Sequence, residues 1–386
     1  MPRLSKILFA EYIVAVGEYG RLPVILIVHM CTAGFLSMTA MGVLHQWVPV
    51  VFDVPAVSVR RALWTFTVYA GSVLAFALGL GDSNWRVAAA GGGGLALAIV
   101  LWSVGVWGQL ARSARPHDAV FHGTRGAVIA FNAVSGLGMY MALSFLGWWP
   151  EGGVLPVHIA TALVGWMGLL VLTVQQKLNP MFAMAKAGGM RAGLAIYLDG
   201  WGVLLAWASL LTSPLVFRAG AVLWSVAAVV SVSQSLQVVR RRKAGPRDRV
   251  LVGVASGWLL LLAASVLSVG LDPLAVVLAF WGMLTLVFSY QSRIVPFMVA
   301  GAVGKRLPGP VFKAFFVAQA MHVKNQSVVI GGLGLLGAAM SVLGRITARP
   351  AFDVSAGAVV MGMVGWHVFG VAWGVHRGCR QAPAGP

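Results

Sequence analysis

Apolar residues run along this chain in long, nearly unbroken stretches, without the alternation of an element that turns one face to water. A helix needs about 20 apolar residues to cross the hydrocarbon of a bilayer. Eleven stretches meet or approach that length: 22–50, 63–81, 87–110, 126–149, 154–174, 195–216, 219–239, 250–271, 274–290, 327–343 and 355–375. The run at 4–19 carries Lys6, Glu11 and Glu18 and reads as an interfacial helix rather than a span. The expected layout is an interfacial segment 1–21, a single polytopic membrane domain 22–377 and a tail 378–386. The fold class is an all-α integral membrane protein. The split between the sixth and seventh spans is placed near Pro214, where two helices meet in a short turn.

Composition agrees with that layout. Hydrophobic residues make up 59% of the chain and charged residues 10%, against about 25% charged in soluble domains. Mean hydropathy is +0.87. The formal net charge of +18 does not point to nucleic acid, because the basic residues lie between the apolar runs. Topology accounts for them better: alternate loops carry 21 and 7 of the Lys and Arg residues, and the richer side is the cytoplasmic one. This places the N-terminus outside and the C-terminus in the cytoplasm, in the cell membrane. The run RRRKAGPRDR at 240–249 is the strongest marker. The two cysteines, Cys31 and Cys379, make no disulfide framework.

Three segments share a pattern. HMCTAGFLSMTAMGVLHQWVPVVF starts at His29, HIATALVGWMGLLVLTVQQKLNPMF at His158 and AFWGMLTLVFSYQSRIVPFM at Ala279. Gly34 precedes Pro49 by 15 residues and Gly165 precedes Pro180 by 15, whereas Gly282 precedes Pro296 by 14. Each helix offers a glycine for close packing and is expected to stop at its proline, which has no N–H for an interior hydrogen bond. Three four-helix repeats follow, at about 22–149, 154–271 and 274–377, the last one helix short, in a pseudo-threefold arrangement.

Eight histidines are present, and their positions separate them. His117 and His122 lie in a connection between Arg115 and Arg125, while His322 and His376 sit beside Lys324 and Arg377 at helix ends. Structural or topological roles suit these four. His29, His158 and His367 lie inside apolar spans, where an ionisable group is costly and marks a functional site. His29 and His158 fall in the outer part of repeat-equivalent helices. A neutral imidazole in lipid needs a hydrogen bond or a metal. A bond to a neighbouring helix explains any one such histidine, but two on equivalent helices favour a shared ligand site. Haem iron suits imidazole and a porphyrin fits between apolar helices; copper or zinc also suits this donor. The candidate metal ligands are therefore His29 and His158, with His367 added as a third cofactor-binding candidate.

The ten acids fall almost entirely in loops or at helix ends. Asp199 is placed near the cytoplasmic entrance of the sixth span, leaving no carboxylate at mid-membrane and arguing against proton pumps and cation-coupled carriers. The polar mid-span residues Asn132, Gln234, Gln237, Tyr140, Tyr290 and Gln291 read as interhelical hydrogen bonders.

The three glycine-to-proline segments resemble those of the haem–copper oxidase subunit I-like membrane proteins, over roughly residues 22–300. The resemblance implies a pseudo-threefold helical fold like that of cytochrome c oxidase subunit I, His29 at the position of a low-spin haem ligand, and His158 on the helix that provides a copper ligand. It also implies a part in respiration, with other respiratory membrane subunits or an electron donor as partners. The chain departs from the pattern: the sixth span has no histidine pair, the third repeat has no His-x-His, and carboxylate-lined proton paths are missing. A standard proton-pumping terminal oxidase is thus disfavoured, and oxidoreductase activity stays open. The expected role is electron transfer, oxygen or nitric oxide handling, or sensing. The competing expectations are a non-redox transporter or channel and a structural or assembly subunit of a respiratory complex.

Overall fold

The computed structural model describes residues 24–115, 117–150, 152–183, 185, 192–241, 250–304, 326–347 and 350–381. The expected interfacial segment 1–21, His322 and most of the basic run at 240–249 lie outside them. In chain order the helices are α1 (Val24–His29), the π-helix π1 (Met30–Ser37), α2 (Met38–Phe52), α3 (Val59–Gly81), α4 (Trp85–Leu110) and α5 (Ala119–Phe145). There follow α6 (Leu155–Ala160), the π-helix π2 (Thr161–Gly168), α7 (Leu169–Ala183), α8 (Ala192–Ala208) and α9 (Pro214–Arg240). The last four are α10 (Val250–Val269), α11 (Leu274–Gly304), α12 (Gln326–Thr347) and α13 (Pro350–Gln381). No strand occurs among the described residues.

Nine helical stretches among these residues are long and apolar enough to cross a bilayer, and two shorter apolar helices, Gly193–Ala208 and Ser355–Gly370, match the sixth and eleventh expected spans. The chain is a multi-pass membrane protein. Large apolar side chains such as Leu63, Trp64, Phe66 and Leu211 stand exposed on its surface, where lipid is their solvent.

Several helix ends differ from those expected, for local reasons. Hydropathy marks the stretch that lies in lipid, but capping side chains set where the backbone starts to coil. The Ser58 side chain accepts from Arg61 N–H and starts α3 four residues before the expected start at 63. The Asp118 carboxylate accepts from Phe121 N–H and starts α5 seven residues before the expected 126. The sixth span ends at Ala208 instead of 216, because Pro214 already opens α9, a position where its missing N–H costs nothing.

The helices do not stop at the repeat prolines. Pro49 lies inside α2 and Pro180 inside α7, each followed by three more helical residues. One absent N–H near a helix end removes one bond and leaves the rest of the turn intact. The proline carbonyl takes part in the ending instead: Val54 N–H donates to Pro49 O at 3.2 Å and Ala185 N–H to Pro180 O at 2.9 Å. Asp53 then turns the chain with a left-handed backbone (φ 55°, ψ 51°). In the third glycine-to-proline segment α11 runs on past Pro296 to Gly304.

Contacts group the chain into two compact units. Unit 1 is Met1–Gln176 with Gly189–Ala227, and unit 2 is Lys177–Gly188 with Ala228–Pro386. In unit 1, α3 packs on α4, α4 on α5, and α5 on both π2 and α8. Glycine permits the tightest of these approaches. A Cβ on Gly91, in the glycine tetrad of α4, would run into the backbone of Phe76 on α3. In unit 2, α10, α11 and α12 pack on one another and α13 packs on α12.

Candidate functional site

The first and fifth spans of the sequence are built alike. Each has an eight-residue π-helix set between two α-helical stretches. The π-helix boundaries in the second set are those of the first shifted by 131: Met30 to Thr161 and Met38 to Leu169. Gly34 and Gly165 fall at the same place in π1 and π2. π-Helices are rare and cluster at functional sites. The third segment, in α11, has no π stretch, and its glycine-to-proline spacing is one residue shorter. One added residue is what a π-bulge inserts into an α-helix, so the spacing difference has a structural cause.

His29 is the last residue of α1, directly before π1, and His158 stands three residues before π2. Shifted by 131, His29 aligns with Ala160, so the two histidines are two residues out of register within the repeat. The fold nonetheless brings them together: their ring centroids lie 6.4 Å apart with planes 28° from parallel. The His29 Nδ1 is 2.7 Å from the Ile25 carbonyl one turn back. A proton on Nδ1 is thereby fixed, and Nε2 keeps the free lone pair. Phe76 of α3 meets the same ring edge-on at 5.2 Å.

His158 lies against α5. A Cβ on Gly138 would stand 3.2 Å from its Cε1 and 3.7 Å from its Nδ1. Its ring also approaches the Val134 backbone, one turn before Gly138. The buried Nδ1 makes no hydrogen bond. A buried polar nitrogen left unpaired needs a partner or a reason. At the far ends of the π-helices, Trp166 Nε1 donates to Ser37 Oγ at 3.0 Å. Trp166 is buried and stacks on Phe131 at 4.1 Å. Near His158, Trp207 of α8 donates to Thr161 Oγ1 at 2.9 Å, and Thr161 donates on to the Val157 carbonyl at 2.6 Å. The imidazole pair is therefore held between elements fixed by buried hydrogen bonds.

His367 belongs to unit 2. The residue is 7% exposed, and its ring meets Phe288 at 5.2 Å and has Nδ1 without a partner. Gln326 Nε2 donates to its backbone carbonyl at 3.3 Å. Among the described residues no cluster of three or more His, Cys, Asp or Glu side chains gathers around one point. Cys31, beside His29, is a free thiol. His117 stacks on Phe121 at 4.1 Å and His122 meets Tyr197 at 6.3 Å.

Two of the polar mid-span residues bond between helices as expected. Asn132 donates to Ser103 Oγ at 2.7 Å across helices, and Tyr290 donates to Asn179 Oδ1 at 2.9 Å. Tyr140 instead reaches the Pro150 carbonyl in the following loop. One placement needs correction. Asp199 is not at a helix entrance: α8 begins at Ala192, so Asp199 is its eighth residue of seventeen, and it is 5% exposed. A carboxylate does lie in the interior of a span. The sequence signal is an aspartate inside the apolar run IYLDGWGVLLAWA, and the helix starts three residues before the expected 195.

Compared with family models, curated proteins and solved structures, the chain matches none of them.

Proposed function

We propose that His29 and His158 together hold one metal centre in the membrane, with haem iron the leading candidate and copper the next. The observation that carries this reading is the 6.4 Å separation of the two imidazoles. Imidazole nitrogens bind first-row metals at about 2 Å, so two rings on opposite sides of one ion have centroids about 6 Å apart. The donor set fits as well. His29 is oriented through Nδ1 to a backbone carbonyl, as metal-bound imidazoles commonly are, while the His158 ring lies with its Cε1–Nδ1 edge against α5. Gly138 lets α5 approach the His158 ring closely.

A haem iron bound here supplies one-electron redox chemistry. The chain's own residues hold the two rings nearly parallel, set Phe76 edge-on against His29, and anchor both supporting helices through the Ser37–Trp166 bond. His29 and His158 would hold the iron, and with both imidazoles engaged the centre would suit electron transfer. This reading places the chain with the haem–copper oxidase subunit I-like proteins, in a pseudo-threefold arrangement, in the cell membrane with the N-terminus outside. The basic-residue bias supports the orientation, and the matching π-helices, offset by 131 residues, support the repeat. His367 stays a separate cofactor-binding candidate, since it lies in the other unit.

The test is an absorption spectrum of the full chain, purified after expression with haem supplied. A Soret band is expected, lost in His29→Ala and in His158→Ala and kept in His367→Ala. Metal analysis of the same samples separates haem iron from copper or zinc. Protein that stays folded without any bound metal or haem removes the reading.

A further inference from the structure

We propose that Asp199 is a proton-binding site inside unit 1, its carboxyl held as the neutral acid and able to exchange that proton. Asp199 sits near the middle of α8, is 5% exposed, and its buried Oδ2 makes no hydrogen bond. Opposite it is Gly168, the last residue of π2, where an added Cβ would lie 3.7 Å from Oδ1. π2 therefore presents backbone, with no side chain to neutralise the acid.

The elements packed on α8 carry few groups that titrate or bear charge. α5 has His122, Arg125 and Tyr140, α6 has His158, π2 has none, and the part of α9 in unit 1 has Arg218. Among the described residues, none of these forms an ion pair with Asp199. A carboxylate removed from water without a cation or donors is strongly disfavoured, and it takes up a proton instead. A proton thus fills the place a partner fills elsewhere. A purely structural role would leave bonds to show for it, as Asn132 and Asn179 have across their helices. Asp199 has none through Oδ2. An intramembrane ionisable group of this kind marks a functional site. The inference stands whether or not the imidazole pair holds a metal.

Infrared spectroscopy of the full chain in lipid tests it. At neutral pH the carbonyl stretch of a protonated carboxyl is expected. That band shifts in D2O and in protein carrying carbon-13 aspartate, and it disappears as the pH is raised. Asp199→Asn removes it and Asp199→Glu moves it. A wild-type spectrum with no such band at neutral pH, or a band that persists unchanged in Asp199→Asn, overturns the proposal. Should Asp199→Asn fail to fold, the isotope-labelled wild type and Asp199→Glu decide the question.

Discussion

Trp166 donates its indole N–H to Ser37 Oγ at 3.0 Å, a bond that joins π1 to π2 directly. The two π-helices thus meet at one end through a buried polar pair, while His29 and His158 approach each other near the other end. Neither contact is local, since each joins side chains 129 residues apart. Together they define how the two repeat helices lie side by side within unit 1.

This bond is expected to contribute to stability asymmetrically. Ser37→Ala leaves the Trp166 N–H buried and unpaired, a cost of about 1–3 kcal/mol. Trp166→Phe removes the donor and loses packing against Phe131. Equilibrium unfolding in mixed micelles, run as a double-mutant cycle on Ser37 and Trp166, should return a coupling clearly above zero. Additive effects would mean that the contact is not energetically important.

Gly138 controls the seat of His158. A Cβ there would press on His158 Cε1 at 3.2 Å, whereas Gly136, two residues earlier, has nothing within 4 Å of its Cβ position. Gly138→Leu is expected to weaken metal or haem binding at least tenfold, and Gly136→Ala to leave it unchanged, with similar unfolding midpoints for the latter and wild type. Titration of the purified variants with haem or a divalent metal gives the comparison. Equal affinities in both variants would separate His158 from the binding site.

Within the glycine tetrad, position matters more than composition. A Cβ on Gly91 collides with the Phe76 backbone, but one on Gly92 meets only the Phe76 ring at 3.9 Å. Gly91→Ala should destabilise unit 1 by about 1–3 kcal/mol, the usual cost of overpacking. Gly92→Ala should be near neutral. Unfolding of the two variants under identical detergent conditions checks the contrast.

The Tyr290–Asn179 bond in unit 2 lies in a buried setting. Tyr290→Phe leaves Asn179 Oδ1 without its donor and is expected to cost about 1 kcal/mol, with no effect on a Soret band that depends on His29 and His158. Loss of that band in Tyr290→Phe would show that the centre does not rest on those two histidines alone.

Hydropathy along the chain was enough to establish eleven apolar helices and a multi-pass membrane protein, because each span must independently satisfy its backbone inside lipid. The 15, 15 and 14 residue spacings already carried the distinction between two interrupted helices and one continuous one, although only the backbone identifies the extra residue as a π-turn. Apolar context also singled out His29, His158 and His367. Tertiary structure decided which of them meet: the approach of His29 to His158 depends on side-chain direction across two helices from distant parts of the sequence, and their two-residue mismatch in the repeat gave no hint of it. It likewise decided that Asp199 is buried, since the start of α8 is not marked by hydropathy. Spans are dictated by the solvent each segment enters, whereas sites are dictated by which faces of different segments come into contact.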